Sequence, residues 1–437
     1  MTSAVLLRKG WCPGARRPMP AKDGLLVRLR ISGGAVAAPV LRAIAQAGRA
    51  YGNGLFDLSA RGNLQIRGIH EGSLPALIEM LDGLDLLDED RESEAVRNVL
   101  LSPLAGLDGR NEVFETAKAL EARLAANRDL HALPGKFGFL IDDGSALSLA
   151  SIAADVRFDW ITSAQSFAIG LGGCANKAVF VGCCERASIP SIAARLAMAF
   201  LSLRSSLEEP PRRMRELLAC CGATAIAEAA RLGLGGRARP GAVEEPCPIG
   251  WMRFSEVTGF GAGAAFGSLD ANMLEGAARA AEIFGAGEIR LTPWRALIVP
   301  HVREEQAGAI SALFAEHGFI TDRTDPRLAV AACGGASTCE RGTTDPRSDA
   351  LSLMSLARQI WKSGIALHVS GCAKGCARHA ITPLTLIARE GLYDVIGDET
   401  AQRAGIGDAP QLGLPIVRKM LEAAAQRNRQ NGVLTRQ

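Results

Sequence analysis

Residues 51–59 read Tyr-Gly-Asn-Gly-Leu-Phe-Asp-Leu-Ser, and residues 284–292 read Phe-Gly-Ala-Gly-Glu-Ile-Arg-Leu-Thr. Both begin on an aromatic ring, place glycines second and fourth, and return to leucine at the eighth position. The offset, 284 − 51 = 233, holds without a gap between residues 24–66 and 257–299: Gly34 falls on Gly267, Leu41 on Leu274, Leu58 on Leu291 and Leu64 on Leu297. The chain is internally duplicated, and the duplication decides the fold before any single element does.

Each copy reads strand, helix, glycine turn, strand, strand. In the first copy Val27, Leu29 and Ile31 alternate with Arg28 and Arg30, as in a half-buried strand. An Ala-rich helix is expected near 36–50, ended by the Tyr51–Gly54 turn, with short strands near 55–59 and 63–67. Such a unit has one apolar sheet face and cannot stand alone, so two copies are expected to pair into one pseudo-symmetric domain. Between the copies, strands are expected at 136–141 and 178–181 and helices at 187–206 and 212–232, with 231–241 as linker. The C-terminal helix is expected near 412–427. The fold class is α+β, in four units: 1–75 and 241–318 as the paired half-domains, 76–240 and 319–437 as two α/β domains.

Composition narrows the function. The 437 residues are 48% hydrophobic, enough for a large core and too many for disorder. Forty-nine basic against 46 acidic residues leave a net charge of +3, which argues against a nucleic acid partner or an anionic membrane surface. The start, MTSAVLLRKGW, does not read as a signal peptide, and no run of about 18 apolar residues would span a bilayer. Eleven cysteines in such a chain suggest thiols and metal rather than disulfides. A cytoplasmic location is expected.

The strongest local signal is Cys333-x5-Cys339 followed by Cys372-x3-Cys376, flanked by Gly334, Gly335, Gly371 and Gly375. Four thiolates in two close pairs suit a [4Fe–4S] cluster, and small neighbours let backbone N–H groups approach its sulfides. A zinc site usually uses tighter pairs. The other seven cysteines form no comparable pattern; Cys12, in Gly-Trp-Cys-Pro-Gly, is the one of interest.

A second signal is cationic. On a strand, Arg61, Asn63, Gln65 and Arg67 would share one face, with Arg28 and Arg30 on a neighbouring strand extending it. Arg97 and Lys136 are further candidates. Converging arginines suit a polycarboxylate ligand; the alternative is a solvated face of weak ion pairs.

The cysteine spacing, the duplicated half-domains and these basic positions together resemble the siroheme-dependent sulfite and nitrite reductases, over nearly the whole chain. The resemblance implies ferredoxin-like half-domains and reductase-like α/β domains. It implies that Cys376 would bridge cluster and siroheme iron, and that Arg61, Arg97, Lys136, Lys374 and Arg378 would meet the macrocycle or its anionic ligand. Two departures stand out: Gly138 replaces a second lysine that helps protonate the oxyanion, and the cluster loop reads Cys372-Ala-Lys-Gly-Cys376 rather than Cys-Pro-Asn-x-Cys. Together with Arg-Lys-Gly-Trp-Cys-Pro-Gly and Leu-Pro-Gly-Lys-Phe-Gly-Phe, these departures look like the precorrin-3B synthase branch, in which the tetrapyrrole is substrate.

That branch implies precorrin-3A and O2 as substrates, hydroxylated at C20 with γ-lactone closure by the ring A acetate. It also implies a mononuclear non-haem iron, and NADH as indirect reductant through a separate electron-donating reductase. A two-histidine, one-carboxylate triad would suit that iron. Among six histidines, His368 and His379, flanking the cluster cysteines, are the first candidates. The alternatives are a true sulfite or nitrite reductase with siroheme as cofactor, and a non-catalytic cluster or tetrapyrrole-binding protein.

Overall fold

The computed structural model describes residues 12–107, 112–233, 239–241, 246–254, 257–362, 364–401 and 410–434. The first copy runs β1 (Met19–Ala21), β2 (Gly24–Leu29), β3 (Ala35–Ala37), α1 (Ala38–Tyr51), β4 (Leu55–Leu58), β5 (Leu64–Ile69) and α2 (Leu74–Asp82). The domain that follows comprises α3 (Arg91–Val96), β6 (Val99–Leu101), α4 (Glu112–Ala126), β7 (Phe139–Asp142), β8 (Ala154–Ile161), β9 (Ser166–Gly173), β10 (Val179–Cys184), α5 (Ile189–Ser205) and α6 (Met214–Ala229). The second copy holds β11 (Gly250–Phe254), β12 (Val257–Gly263), β13 (Ser268–Asp270), α7 (Ala271–Phe284), β14 (Glu288–Leu291), β15 (Ala296–Pro300) and α8 (Ala307–Glu316). Last come β16 (Val330–Ala332), α9 (Pro346–Ile360), β17 (Leu367–Ser370), β18 (Thr382–Arg389), β19 (Leu392–Glu399), β20 (Gln411–Leu412) and α10 (Leu414–Leu434).

The two copies exchange a strand. The first sheet is ordered β1-β2-β5-β4-β13 and the second β11-β12-β15-β14-β3, so each copy lends the other its edge. Ser268–Asp270 pair with Leu55–Asp57, and Ala35–Ala37 pair with Glu288–Arg290. Beneath the sheets, α1 packs on α7 in one core shared by both copies, with Leu41 and Ile44 facing Leu274 and Ala278. Gly48 lets α1 cross β4, because a Cβ there would lie 2.2 Å from the Phe56 ring.

The duplication persists in backbone conformation. Left-handed residues Gly33, Gly34, Gly54, Gly62, Gly68 and Asp85 recur, at the offset of 233, as Phe266, Gly267, Gly287, Arg295, His301 and Gly318. Phe266, Arg295 and His301 hold positive φ (60°, 57° and 62°) without glycine's freedom, at about 1 kcal/mol each. The packing imposes these turns even where the side chain resists them.

The two α/β domains also share one plan. β6, β7 and β8 run parallel, then β9 and β10 turn antiparallel. β16, β17 and β18, then β19 and β20, repeat this order. Among the described residues no helix is long and apolar enough to cross a membrane.

Two expected bounds change. The first half-domain does not end at residue 75, because α2 crosses that point and buries Leu77 and Leu81 in its core. The second reaches past 318, since Ile320 pairs with Gly263. Gly259–Gly263 lie in strand β12, where Gly261 leaves room for the Pro248 carbonyl oxygen 2.0 Å from where a Cβ would stand. The 231–241 linker lies partly outside the described residues.

Candidate functional site

Parallel neighbours β16 and β17 end side by side, with Ala332 opposite Val369, so the two cysteine pairs leave the sheet at the same edge. The Gly371 N–H donates to Cys333 Sγ at 3.2 Å. Behind Cys339 the loop folds tightly: Cys339 N–H donates to the Gly335 carbonyl at 2.8 Å, and Ala336 N–H to that of Thr344 at 2.8 Å. Gly342 is required there, since a Cβ would come within 2.3 Å of the Gly335 backbone. Cys333 and Cys372 are half-buried, while Cys339 and Cys376 keep exposed faces.

The four sulfurs feel one another. Burial raises the Cys372 thiol, opposed by the Lys374 N–H, and Cys333 and Cys339 raise it further. Cys376 keeps its open face, yet the protein packed against the rest of it raises its thiol too, as do Cys333, Cys372 and Cys339. Thiols crowded in this way call for metal to neutralise them. Among the described residues no three His, Cys, Asp or Glu side chains close on a single ion. A four-iron cluster takes one thiolate per iron, and four cysteines brought to one edge of the sheet can supply them. The triad expected near His368 or His379 is not assembled among the described residues either.

His368 lies on β17 with its side chain fully buried and both ring nitrogens without partners. Burial lowers it to about 4, helped by Arg378, Arg295 and His379. Arg295, from the second copy's β14–β15 turn, donates to the Ala377 carbonyl at 2.7 Å and so docks that turn on the loop after Cys376. Arg378 donates to Thr382 Oγ1 at 3.1 Å.

The cationic signal splits. Arg61 sits in the turn between β4 and β5, not on a strand, and Ser59 Oγ accepts from the Arg61 and Asn63 N–H groups. One guanidinium nitrogen of Arg61 donates to the Ala153 carbonyl at 2.9 Å; the other, Nη1, is buried with no partner. A Cβ at Gly138 would stand 3.1 Å from that nitrogen and 2.8 Å from Asn98 Nδ2, so the ends of the Arg61 and Asn98 side chains border Gly138. Gln65 accepts from Arg28 at 3.1 Å. Arg28 and Arg30 each keep an unpartnered Nε, and Arg30 is only 8% exposed. Burial lowers the pKa of Arg28, Arg30 and Arg61. Neighbouring arginines add to this: Arg61 acts on Arg28, Arg28 and Arg97 on Arg30, and Arg213 on Arg61. Glu94, near Arg28 and Arg30, and Asp155, near Arg61, offset part of this, but Arg28 Nε, Arg30 Nε and Arg61 Nη1 still lack a hydrogen-bond partner, so the group can take a further anion. Lys136 is exposed on the turn beside it.

Arg67 and Arg97 correct the sequence reading. Arg67 is 7% exposed and donates to Asp23 (2.8 and 2.9 Å), Asp57 (2.7 Å) and the Thr338 carbonyl (3.3 Å). Arg97 donates to Asp88 (2.7 and 2.9 Å), Ser32 (3.1 Å), Glu121 (3.4 Å) and the Arg30 carbonyl (2.9 Å). Their N–H groups already have acceptors, so they brace the cleft rather than receive a ligand. Arg30, treated as a mere extension in the sequence, is the better placed. Lys374 lies in the cluster loop, where its charge acts on Cys372 and Cys376.

Comparison with known proteins agrees with this geometry. Residues 17–84 and 257–317 match the family described as the nitrite/sulfite reductase ferredoxin-like half domain. A precorrin-3B synthase from Sinorhizobium sp is 30% identical over 397 residues, covering 89% of this chain and 83% of that protein. The chain belongs to the nitrite/sulfite reductase-like family. A ferredoxin–nitrite reductase from Synechococcus elongatus is 24% identical, covering 89% of this chain and 83% of its own. The solved structure of Mycobacterium tuberculosis NirA superposes with a TM-score of 0.72 at 22% identity, over 90% of this chain and 79% of that one, which establishes the shared fold.

Proposed function

We propose that this chain is a precorrin-3B synthase: an oxidoreductase that inserts one oxygen atom of O2 into precorrin-3A at C20, with γ-lactone formation by the ring A acetate. The observation that carries the reading is the group of Arg28, Arg30 and Arg61, whose unpartnered buried nitrogens suit the carboxylate arms of a tetrapyrrole. The 30% identity to a precorrin-3B synthase supports it. Gly138 supports it too: position 138 carries no second lysine, beyond Lys136, to protonate a bound oxyanion.

Cys333, Cys339, Cys372 and Cys376 would hold the [4Fe–4S] cluster, which when bound supplies single electrons. Arg28, Arg30 and Arg61 bind and orient the substrate's carboxylates, while Arg97 holds the Arg30 backbone in place. The reading also calls for a mononuclear iron, but the described His, Cys, Asp and Glu residues form no cradle for it, and no step is assigned to it. Electrons would come from NADH through a separate reductase in the cytoplasm.

The second reading, a siroheme reductase, draws on the 24% identity to a nitrite reductase. Protein purified without oxygen separates the two: siroheme absorption bands would favour the reductase. Incubation with precorrin-3A and then isotopically labelled O2 tests the synthase, with a product one labelled oxygen atom heavier expected. An unaltered substrate mass would overturn the proposal.

A further inference from the structure

Residues 12–17 form a strap over the first half-domain. Gly14 N–H donates to the Arg17 carbonyl at 3.0 Å, and the Gly14 carbonyl accepts from Arg28 N–H at 3.4 Å. The strap is latched by Glu94, which accepts from Ala15 N–H at 2.5 Å and Arg16 N–H at 3.1 Å. Gly14 is essential to this fit, since a Cβ there would stand 2.4 Å from the Glu94 carboxylate. The latch is firm: Ala15 is 1% and Glu94 5% exposed.

The strap delivers Cys12 into the arginine group. Cys12 stands close enough to Arg28 to work against the lowering of its pKa, and it does the same for Arg30 and Arg61. Its backbone nitrogen is 3.5 Å from where a Gly135 Cβ would stand, beside the turn that carries Lys136. Cys12 remains half-buried rather than sealed. The independent sign of a ligand at this spot is Arg30, more than nine-tenths buried and lacking any partner for Nε.

We infer that Cys12 contacts the ligand: its sulfur borders the arginine group, and a carboxylate arm of a polyanionic macrocycle held by Arg28 and Arg30 lies against it. This rests on the tetrapyrrole reading above and adds to it a wall of the site. Glu94 is committed to the strap's N–H groups, so the arriving carboxylate meets Arg28 and Arg30 without displacing the latch.

The test uses cluster-loaded protein and uroporphyrin I, a metal-free macrocycle with eight carboxylates. Its binding is followed by fluorescence, and alkylation of Cys12 by iodoacetamide is followed by peptide mass spectrometry. With the porphyrin at about ten times its Kd, Cys12 should alkylate about tenfold more slowly, because only unliganded protein reacts. The octamethyl ester should give no protection. If uroporphyrin binds and the Cys12 rate is unchanged, the inference is overturned while the tetrapyrrole reading stands. If uroporphyrin does not bind at all, both fall. Cys12→Trp should weaken uroporphyrin about tenfold or more, whereas Cys12→Ser should stay within about twofold. Wild-type affinity in folded Cys12→Trp protein would equally overturn it.

Discussion

Asp57 ties the first half-domain to the domain that carries the four cysteines. On β4, its two oxygens accept from Arg67 and Arg347, each at 2.7 Å. Arg67 also reaches the Thr338 carbonyl inside the cluster loop, and Arg347 opens α9 and donates to Ser268 on the exchanged strand. The side chains of Arg67, Asp57 and Arg347 are 8%, 14% and 22% exposed. Removing one partner of a buried ion pair costs about 3–5 kcal/mol. Here Arg67 keeps Asp23, and Arg347 is partly solvated, so Asp57→Asn should cost about 2–3 kcal/mol. Urea unfolding followed by tryptophan fluorescence should show the lower midpoint, and the cluster should be lost faster to a chelator. Burial works to raise the Asp57 carboxyl, but Arg347 and Arg67 prevail and hold it below its ordinary value. Its contribution is therefore present above the ordinary carboxylate range and lost as pH falls through the lower folded-state value. The gap between variant and wild type should close on acidification through that window. Equal midpoints at neutral pH, with equal rates of cluster loss, would refute the reasoning.

Other outcomes follow from the same geometry. Cys339→Ser or Cys372→Ser should abolish the cluster, and wild-type iron and sulfide content would contradict that. Arg61→Ala should weaken tetrapyrrole binding roughly tenfold or more, the scale of one lost charged hydrogen bond, as read by porphyrin titration; unchanged affinity would return Arg61 to a surface role. The same variant should lose no more than about 1 kcal/mol of stability, since Nη1 already lacks a partner. Gly261→Ala should destabilise the second sheet by about 1–3 kcal/mol, because the clash is with the backbone oxygen of Pro248; a wild-type thermal midpoint would show that the strand gives way.

The repeat was legible because glycine and leucine positions survive wherever a turn or core demands them. Helix α1 and strands β4 and β5 fall within a few residues of their expected bounds. The exchange of β3 and β13 was not legible, since three-residue strands carry too little pattern to name a partner. The cysteine spacing singled out two segments that leave neighbouring strands β16 and β17 at one edge of the sheet. The arginines were harder: alternation placed Gln65 and Arg67 correctly on β5, but nothing in the sequence said that Asp23 and Asp57 would meet Arg67, or Asp88 and Glu121 meet Arg97. Arg61 lay one turn short of the strand assigned to it. Free and committed guanidinium groups look alike until their acidic neighbours are placed.

The reciprocal loan of β3 and β13 means that neither repeat owns a complete sheet. A polypeptide cut within the 231–241 connection would release halves that each bare an unsatisfied β-edge and an orphan strand. Each fragment would be driven to reassociate, with its counterpart or with a copy of itself. A twofold dimer of single repeats would satisfy every one of those edges, so the architecture holds, within one chain, the symmetry of a self-paired dimer.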